Sequence, residues 1–117
     1  MASFPPEGAE PLKFLRPGHS PDLLRKLRRG AWRVEDELDL HGLNRVQAAQ
    51  AVSGFLDEAT GMRCVRIVHG RGLGVLRDVL RAALPARAEV LGFVEAPAAQ
   101  GQRRSRSAAA NSVHSIR

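Results

Sequence analysis

The 117-residue chain has a single cysteine, Cys64. An internal disulfide and a Cys-rich zinc site are therefore excluded. Cys64 opens an apolar run, which suits a buried thiol. Aromatic residues make up only 4% of the chain, so its core must be mainly aliphatic. No run of about 18 apolar residues exists, which excludes a spanning α-helix. The N-terminal stretch MASFPPEGAEPLKFL lacks a signal-peptide core, and a cytoplasmic location is expected. Acidic side chains are the minority, 12 against 18 Lys and Arg, giving a formal charge of +6. That excess favours a polyanionic partner, nucleic acid first, over the plainer reading of solubility alone.

The length suits one domain with a short tail at each end. Residues 1–20 hold Pro5, Pro6, Pro11 and Pro17 with Gly8 and Gly18, a density that predicts a flexible arm. Residues 21–33 form a basic extension. Ser20 as cap, Pro21 in the first turn and Gly30 as a stop predict a helix over 21–29. Leu23, Leu24 and Leu27 give it an apolar edge; Arg25, Lys26, Arg28 and Arg29 give it a positive face, for phosphate contact or for solvent. Residues 34–101 alternate between two hydrophobic periods. VEDELDL has the strand period, with its ordered part at 37–40. Asn44 with Gln47 makes a capping-box pattern. Val46, Ala49, Val52, Phe55, Leu56 and Ala59 then follow at helical spacing. RCVRIVHG is a dense apolar strand, LGVLRDVLRAAL a second helix ended by Pro85, and EVLGFVEAP a third strand interrupted at Gly92. The remainder, 102–117, is rich in Arg, Ser and Ala and predicts a disordered basic tail, with Val113 and Ile116 too few for a strand.

Strands alternating with helices predict an α/β fold, βαβαβ, with mostly parallel pairing. Two of the strands end in His-Gly, at 41–42 and 69–70. In a parallel sheet both dipeptides fall at carboxyl ends, the edge where open α/β sheets bind ligands. Asp39 and His41 are two positions apart and leave one face of their strand. A carboxylate there can fix which ring nitrogen carries the proton and ready the imidazole for proton transfer. The same two residues could instead hold a divalent metal, Mg2+ or Mn2+, that activates water. Gly42 permits a sharp turn and close ligand approach. His69, Gly70, Arg71 and Gly72 add a second imidazole, a phosphate-binding guanidinium and two flexible positions before a helix N-terminus. The Gly-Lys-Ser/Thr ending of a nucleotide P-loop is missing. Either His-Gly pair alone reads as a simple turn; matched on successive strands, they read as one site.

LDLHGLNRVQAAQAVSGFL, CVRIVHGRGLG and VLGFVEAPAAQG together resemble the Smr domain, the small MutS-related module, over residues 34–101. The basic N-terminal extension is similar to that of stand-alone bacterial Smr proteins. The resemblance implies a two-layer α/β sandwich like the C-terminal domain of translation initiation factor 3, and nicking of DNA or cleavage of RNA. It assigns the family's Asp-x-His to Asp39 and His41, and its His-Gly-Lys/Arg-Gly to residues 69–72. Two departures stand out. The connection before the second helix is short, and the family's last apolar strand is expected to be missing. Three functions follow. The first is an endonuclease using Asp39, His41, His69 and Arg71, with Gly42, Gly70, Gly72 and the residue 25–29 cations on phosphate. The second is a non-catalytic nucleic-acid- or ribosome-binding module. The third is a degenerate product that folds poorly for want of its last strand.

Overall fold

The computed structural model describes residues 12–70, 74–96 and 112–116. Eight elements follow one another: β1 (Lys13–Leu15), α1 (Asp22–Arg28), β2 (Glu37–Asp39), α2 (Arg45–Glu58), β3 (Cys64–Val68), α3 (Val75–Ala83), β4 (Gly92–Ala96) and β5 (Ser112–Ile116). They build one five-stranded sheet in the order β1-β4-β5-β3-β2.

The α/β class and the strand–helix–strand order agree with the sequence, but the pairing corrects it. Among the described residues only β2 and β3 are hydrogen-bonded in parallel; β1–β4, β3–β5 and β4–β5 are antiparallel. Helical crossovers do keep β2, β3 and β4 running the same way. The crossover through α3 skips one place, however, and β5 enters that gap in the opposite direction. β5 runs in register with β3 from Cys64↔Ile116 to Val68↔Ser112, and with β4 from Gly92↔Ile116 to Ala96↔Ser112. The last strand is thus present, and central. Two waiting strand edges satisfy its backbone on both sides, so it forms without the alternating apolar pattern that an isolated strand would need. The tail therefore contains ordered structure at 112–116, and the reading of a chain lacking its final strand is overturned.

The N-terminal arm is corrected in the same way for its described part. Pro11 and Pro17 bracket the run from Leu12 to Arg16 and do not interrupt it, which leaves room for a short edge strand. Leu12 is buried, and Phe14 stacks on Phe93 with ring centroids 5.5 Å apart. Arg16 bonds the carbonyls of Pro85, Arg87 and Val90 at 2.8–2.9 Å, tying the arm to the α3–β4 connection. Gly92 does not interrupt β4 but begins it. A β-carbon there would lie 2.8 Å from the Phe14 carbonyl oxygen and 3.0 Å from Leu24 Cδ2. Glycine is what lets β1 and α1 close over that point.

α2 and α3 cover one face of the sheet around Leu40, Val52, Leu56, Ile67, Leu80 and Phe93. The buried stripe of α2 runs through Ala48, Val52, Leu56 and Ala59; Val46, expected inside, is 65% exposed. α1 covers part of the opposite face, where Leu24 and Leu27 meet Cys64 and Val94. The two-layer sandwich thus carries a partial third layer. Cys64 is a buried free thiol, as expected.

Candidate active site

The first His-Gly turn is fixed from both sides. Beyond β2, the Leu40 N–H donates to the Val68 carbonyl at 2.8 Å, and Leu40 itself is fully buried. The Leu43 N–H returns to the Leu40 carbonyl at 3.1 Å, closing a tight turn in which Gly42 has φ +82°. That left-handed conformation favours glycine. The capping box predicted from the sequence then starts α2. Asn44 Oδ1 accepts from the Gln47 N–H at 2.8 Å, and Gln47 Oε1 accepts from the Asn44 N–H at 3.0 Å. His41 is therefore pinned between a strand end and a capped helix.

Asp39 Oδ1 accepts twice from His41: from its backbone N–H at 3.0 Å and from its Nδ1 at 2.9 Å. A carboxylate can only accept, so Nδ1 carries the proton. In the neutral ring Nε2 is then a lone pair. The His41 side chain is 77% exposed, which offers that nitrogen to solvent. Partial burial pushes the Asp39 carboxyl up, but the two bonds from His41 outweigh it and hold it below the usual carboxylate value.

The second turn packs directly against the first. Gly70 has φ +74°, and a β-carbon on it would sit 3.4 Å from His41 Cβ. The two His-Gly motifs, separated in sequence, are thus brought together by the β2–β3 pairing, which sets Asp39 opposite Val68. Their imidazoles have different fates. His69 is only 2% exposed. Its Nδ1 donates to the Gly70 carbonyl at 3.0 Å. Its Nε2 lies 3.4 Å from Glu95 Oε2, within ion-pair reach but without a hydrogen bond. Glu95 Oε1 accepts from Arg77 at 2.8 Å and from the Leu12 N–H at 3.2 Å. Burial drives the His69 ring toward its neutral form and Arg77 adds to this, so it titrates below an ordinary histidine despite the pull of Glu95. In this conformation a buried ring cannot serve as the second acid/base or phosphate donor expected of it. Arg71 and Gly72 lie outside the described residues.

The basic helix is a separate region. α1 lies over β4 and β5, two to three strand spacings (roughly 10–15 Å) from β2 and its His41. Arg25 and Lys26 are occupied by Asp22 at 3.1 and 3.4 Å; Arg28 and Arg29 are exposed. Among the described residues no group of three or more His, Cys, Asp or Glu could hold a metal ion. Asp39 and His41 alone would supply two ligands. Glu95 and Arg77 were not singled out in the sequence. The available signal was an acid inside the apolar strand FVEA, since a buried carboxylate needs a partner.

A small mixed sheet whose parallel pair ends in two touching His-Gly turns, one carrying a carboxylate-held exposed imidazole, defines a narrow class of proteins. The Smr domain family matches residues 38–103, more than half of the sequence, and the chain belongs to that family. It is 36% identical over 89 residues to ribosome rescue factor SmrB of Serratia proteamaculans, covering 74% of this chain and 51% of that protein. It is 37% identical over 101 residues to endonuclease MutS2 of Thermus thermophilus, covering 85% of this chain and 13% of that one. The chain thus spans about half the length of the SmrB relatives it matches. Among solved structures, the stand-alone small MutS-related protein YdaL of Escherichia coli superposes with TM-score 0.71 at 23% identity, over 94% of this chain and 86% of YdaL. The Smr domain of Thermus thermophilus MutS2 superposes with TM-score 0.57 at 33% identity, over 70% and 98% of the two chains. Among the described residues no helix is long and apolar enough to cross a membrane.

Proposed function

We propose that this chain is an endonuclease that cleaves phosphodiester bonds in DNA or structured RNA. The observation carrying this reading is the Asp39–His41 pair, with the proton fixed on Nδ1 and an exposed Nε2 at the sheet's carboxyl edge. His41 Nε2 takes the proton from the attacking hydroxyl, either a water or the RNA 2′-OH, as the new phosphorus–oxygen bond forms. The phosphorus–oxygen bond to the leaving sugar oxygen breaks, and that oxygen takes a proton from solvent. Asp39 stabilises the imidazolium that results. Arg71, by its place in the His-Gly-Arg-Gly motif, clamps the phosphate, and the +6 charge favours the polyanion. Arg28 and Arg29 on α1 would grip the nucleic-acid backbone some way from the scissile bond. The names of relatives, an endonuclease and a ribosome rescue factor, agree with nucleic acid or the ribosome as partner.

Burial of His69 favours a second reading, because it removes one acid/base candidate from the surface: a nucleic-acid- or ribosome-binding module without catalysis. One experiment separates the two. Supercoiled plasmid and a structured RNA are incubated with wild type, His41→Ala and Asp39→Ala, with and without Mg2+ or Mn2+. Open-circle or shortened products from wild type, lost in His41→Ala while binding persists, are expected. Binding without cleavage under every condition would establish the module instead.

A further inference from the structure

Glu95 belongs to neither His-Gly motif, yet four parts of the fold meet at its carboxylate. Arg77 reaches it from α3, the Leu12 N–H from the start of the N-terminal strand segment, and His69 from the end of β3, while Glu95 itself stands on β4. The His69 ring is the member with unusual chemistry. A neutral imidazole has one N–H, but this ring faces acceptors on both sides, the Gly70 carbonyl at 3.0 Å and Glu95 Oε2 at 3.4 Å. The proton stays on Nδ1, where the hydrogen bond is formed. Nε2 is buried and has no hydrogen-bond partner among the described residues. Arg77 and the Leu12 N–H draw charge to the other oxygen of Glu95, which makes this approach tolerable. The ring is thus bonded at one end to the Gly70 carbonyl and, at the other, is limited by packing against the Glu95 carboxylate, which leaves it no room to swing that way. Gly70 in turn lies against His41, with its hypothetical β-carbon 3.4 Å from His41 Cβ.

We propose that Glu95 is a positioning residue for the candidate active site: by bracing the His69 ring from β4, it sets where the His69–Gly70 peptide lies against His41. Glu95 has no direct contact with Asp39 or His41. Its influence runs through His69 and the Gly70 backbone. Among the described residues, the charged groups facing His69 are Glu95 from β4 and Arg77 from α3, and its neighbour Gly70 contributes a carbonyl. The inference rests on the nuclease reading only for its kinetic readout.

The full chain is made with 15N-histidine as wild type, Glu95→Ala and Glu95→Gln. Ring nitrogen shifts report tautomer and titration, and cleavage rates are measured against pH. In Glu95→Ala, His69 should keep its Nδ1–H tautomer, because the Gly70 carbonyl holds it, but the His69 and His41 ring signals should move, and kcat should fall at least about tenfold with KM within about twofold. Gln keeps a carbonyl for Arg77 and Leu12 and offers an N–H to Nε2. Glu95→Gln should therefore restore kcat to within about threefold, and His69 should titrate at lower pH than in wild type because the carboxylate that favours its protonation is gone. A folded Glu95→Ala with wild-type His41 and His69 signals would overturn the proposal, as would a Gln variant as impaired as the Ala one. Should Glu95→Ala fail to fold, Glu95→Asp withdraws the oxygens by one methylene and carries the same expectations and the same refutations. If wild type cleaves nothing, the nuclease reading fails by itself, and the ring signals still decide whether Glu95 sets the position of His41.

Discussion

Replacing Asp39 tests the candidate site most directly, because two substitutions separate its charge from its geometry. Asp39 Oδ1 receives both the Nδ1 proton and the backbone N–H of His41. Asn keeps one oxygen acceptor, so the ring can stay in place, but the bonds lose their ionic character. A hydrogen bond to a charged group contributes about 1.5–3 kcal/mol and a neutral one about 0.5–1.5. The Asp39 side chain is 40% exposed, so solvent screening keeps the difference near the low end, about 1 kcal/mol, or roughly a fivefold loss in imidazolium stabilisation. Ala removes the acceptor altogether and frees both the rotamer and the tautomer. Its expected loss approaches that of His41→Ala, about 10²–10⁴-fold, the usual worth of a general base. The assay is initial-rate cleavage of plasmid or RNA under saturating substrate, with binding measured separately. The graded order wild type, Asn, Ala is the signature. An Asn variant as dead as Ala and rescued by Mn2+ would refute the proton-holding role and make Asp39 a metal ligand.

Further outcomes follow from the packing and the charges. Gly92→Ala should destabilise the fold by about 1–3 kcal/mol through the clash with the Phe14 carbonyl, read as a Tm drop of roughly 5–10 °C by circular dichroism. Removing residues 112–116 should abolish the cooperative melt, since β3 and β4 each lose a full ladder. His69 titrates below its ordinary 6.5 when folded, so the unfolded chain binds that proton first. Stability should fall as pH drops through that value and level off below the folded one; His69→Gln should flatten this slope in denaturant titrations. Reversing Arg28 and Arg29 to Glu should weaken nucleic-acid binding and reduce its salt dependence, without touching a reaction at His41.

What could be read from the residues was whatever depended on near neighbours. The two periods of 34–84 gave β2, α2, β3 and α3. Asn44 and Gln47 gave the cap that now anchors the first turn. The i, i+2 placement of Asp39 and His41 anticipated their hydrogen bond. Most of the misses depend on distant neighbours. SVHSI is a strand because β3 and β4 stand either side of it, and nothing in those five residues says so. KFL is a strand because β4 offers its other edge. His41 and His69 carry the same dipeptide at the same kind of strand end. Yet β2 is the sheet's margin and leaves its imidazole in solvent, whereas β3 is interior and faces its imidazole with Glu95, from a strand two places across the sheet. Val46 fails differently: at about 100° per residue it points more than roughly 90° away from the centre of the Ala48, Val52, Leu56 and Ala59 stripe, so its apolar character misassigned its face.

β5 also bears on how the molecule comes into being. Of the described strands it is synthesised last, yet it occupies the middle of the sheet. In the folded sheet it fills a slot one strand wide between the β2–β3 and β4–β1 pairs. Glu95 and His69 stand on opposite sides of that slot, so their approach depends on the spacing that β5 sets between β3 and β4. A chain ended before residue 112 would lack β5, and with it the two ladders that hold β3 and β4 at this spacing.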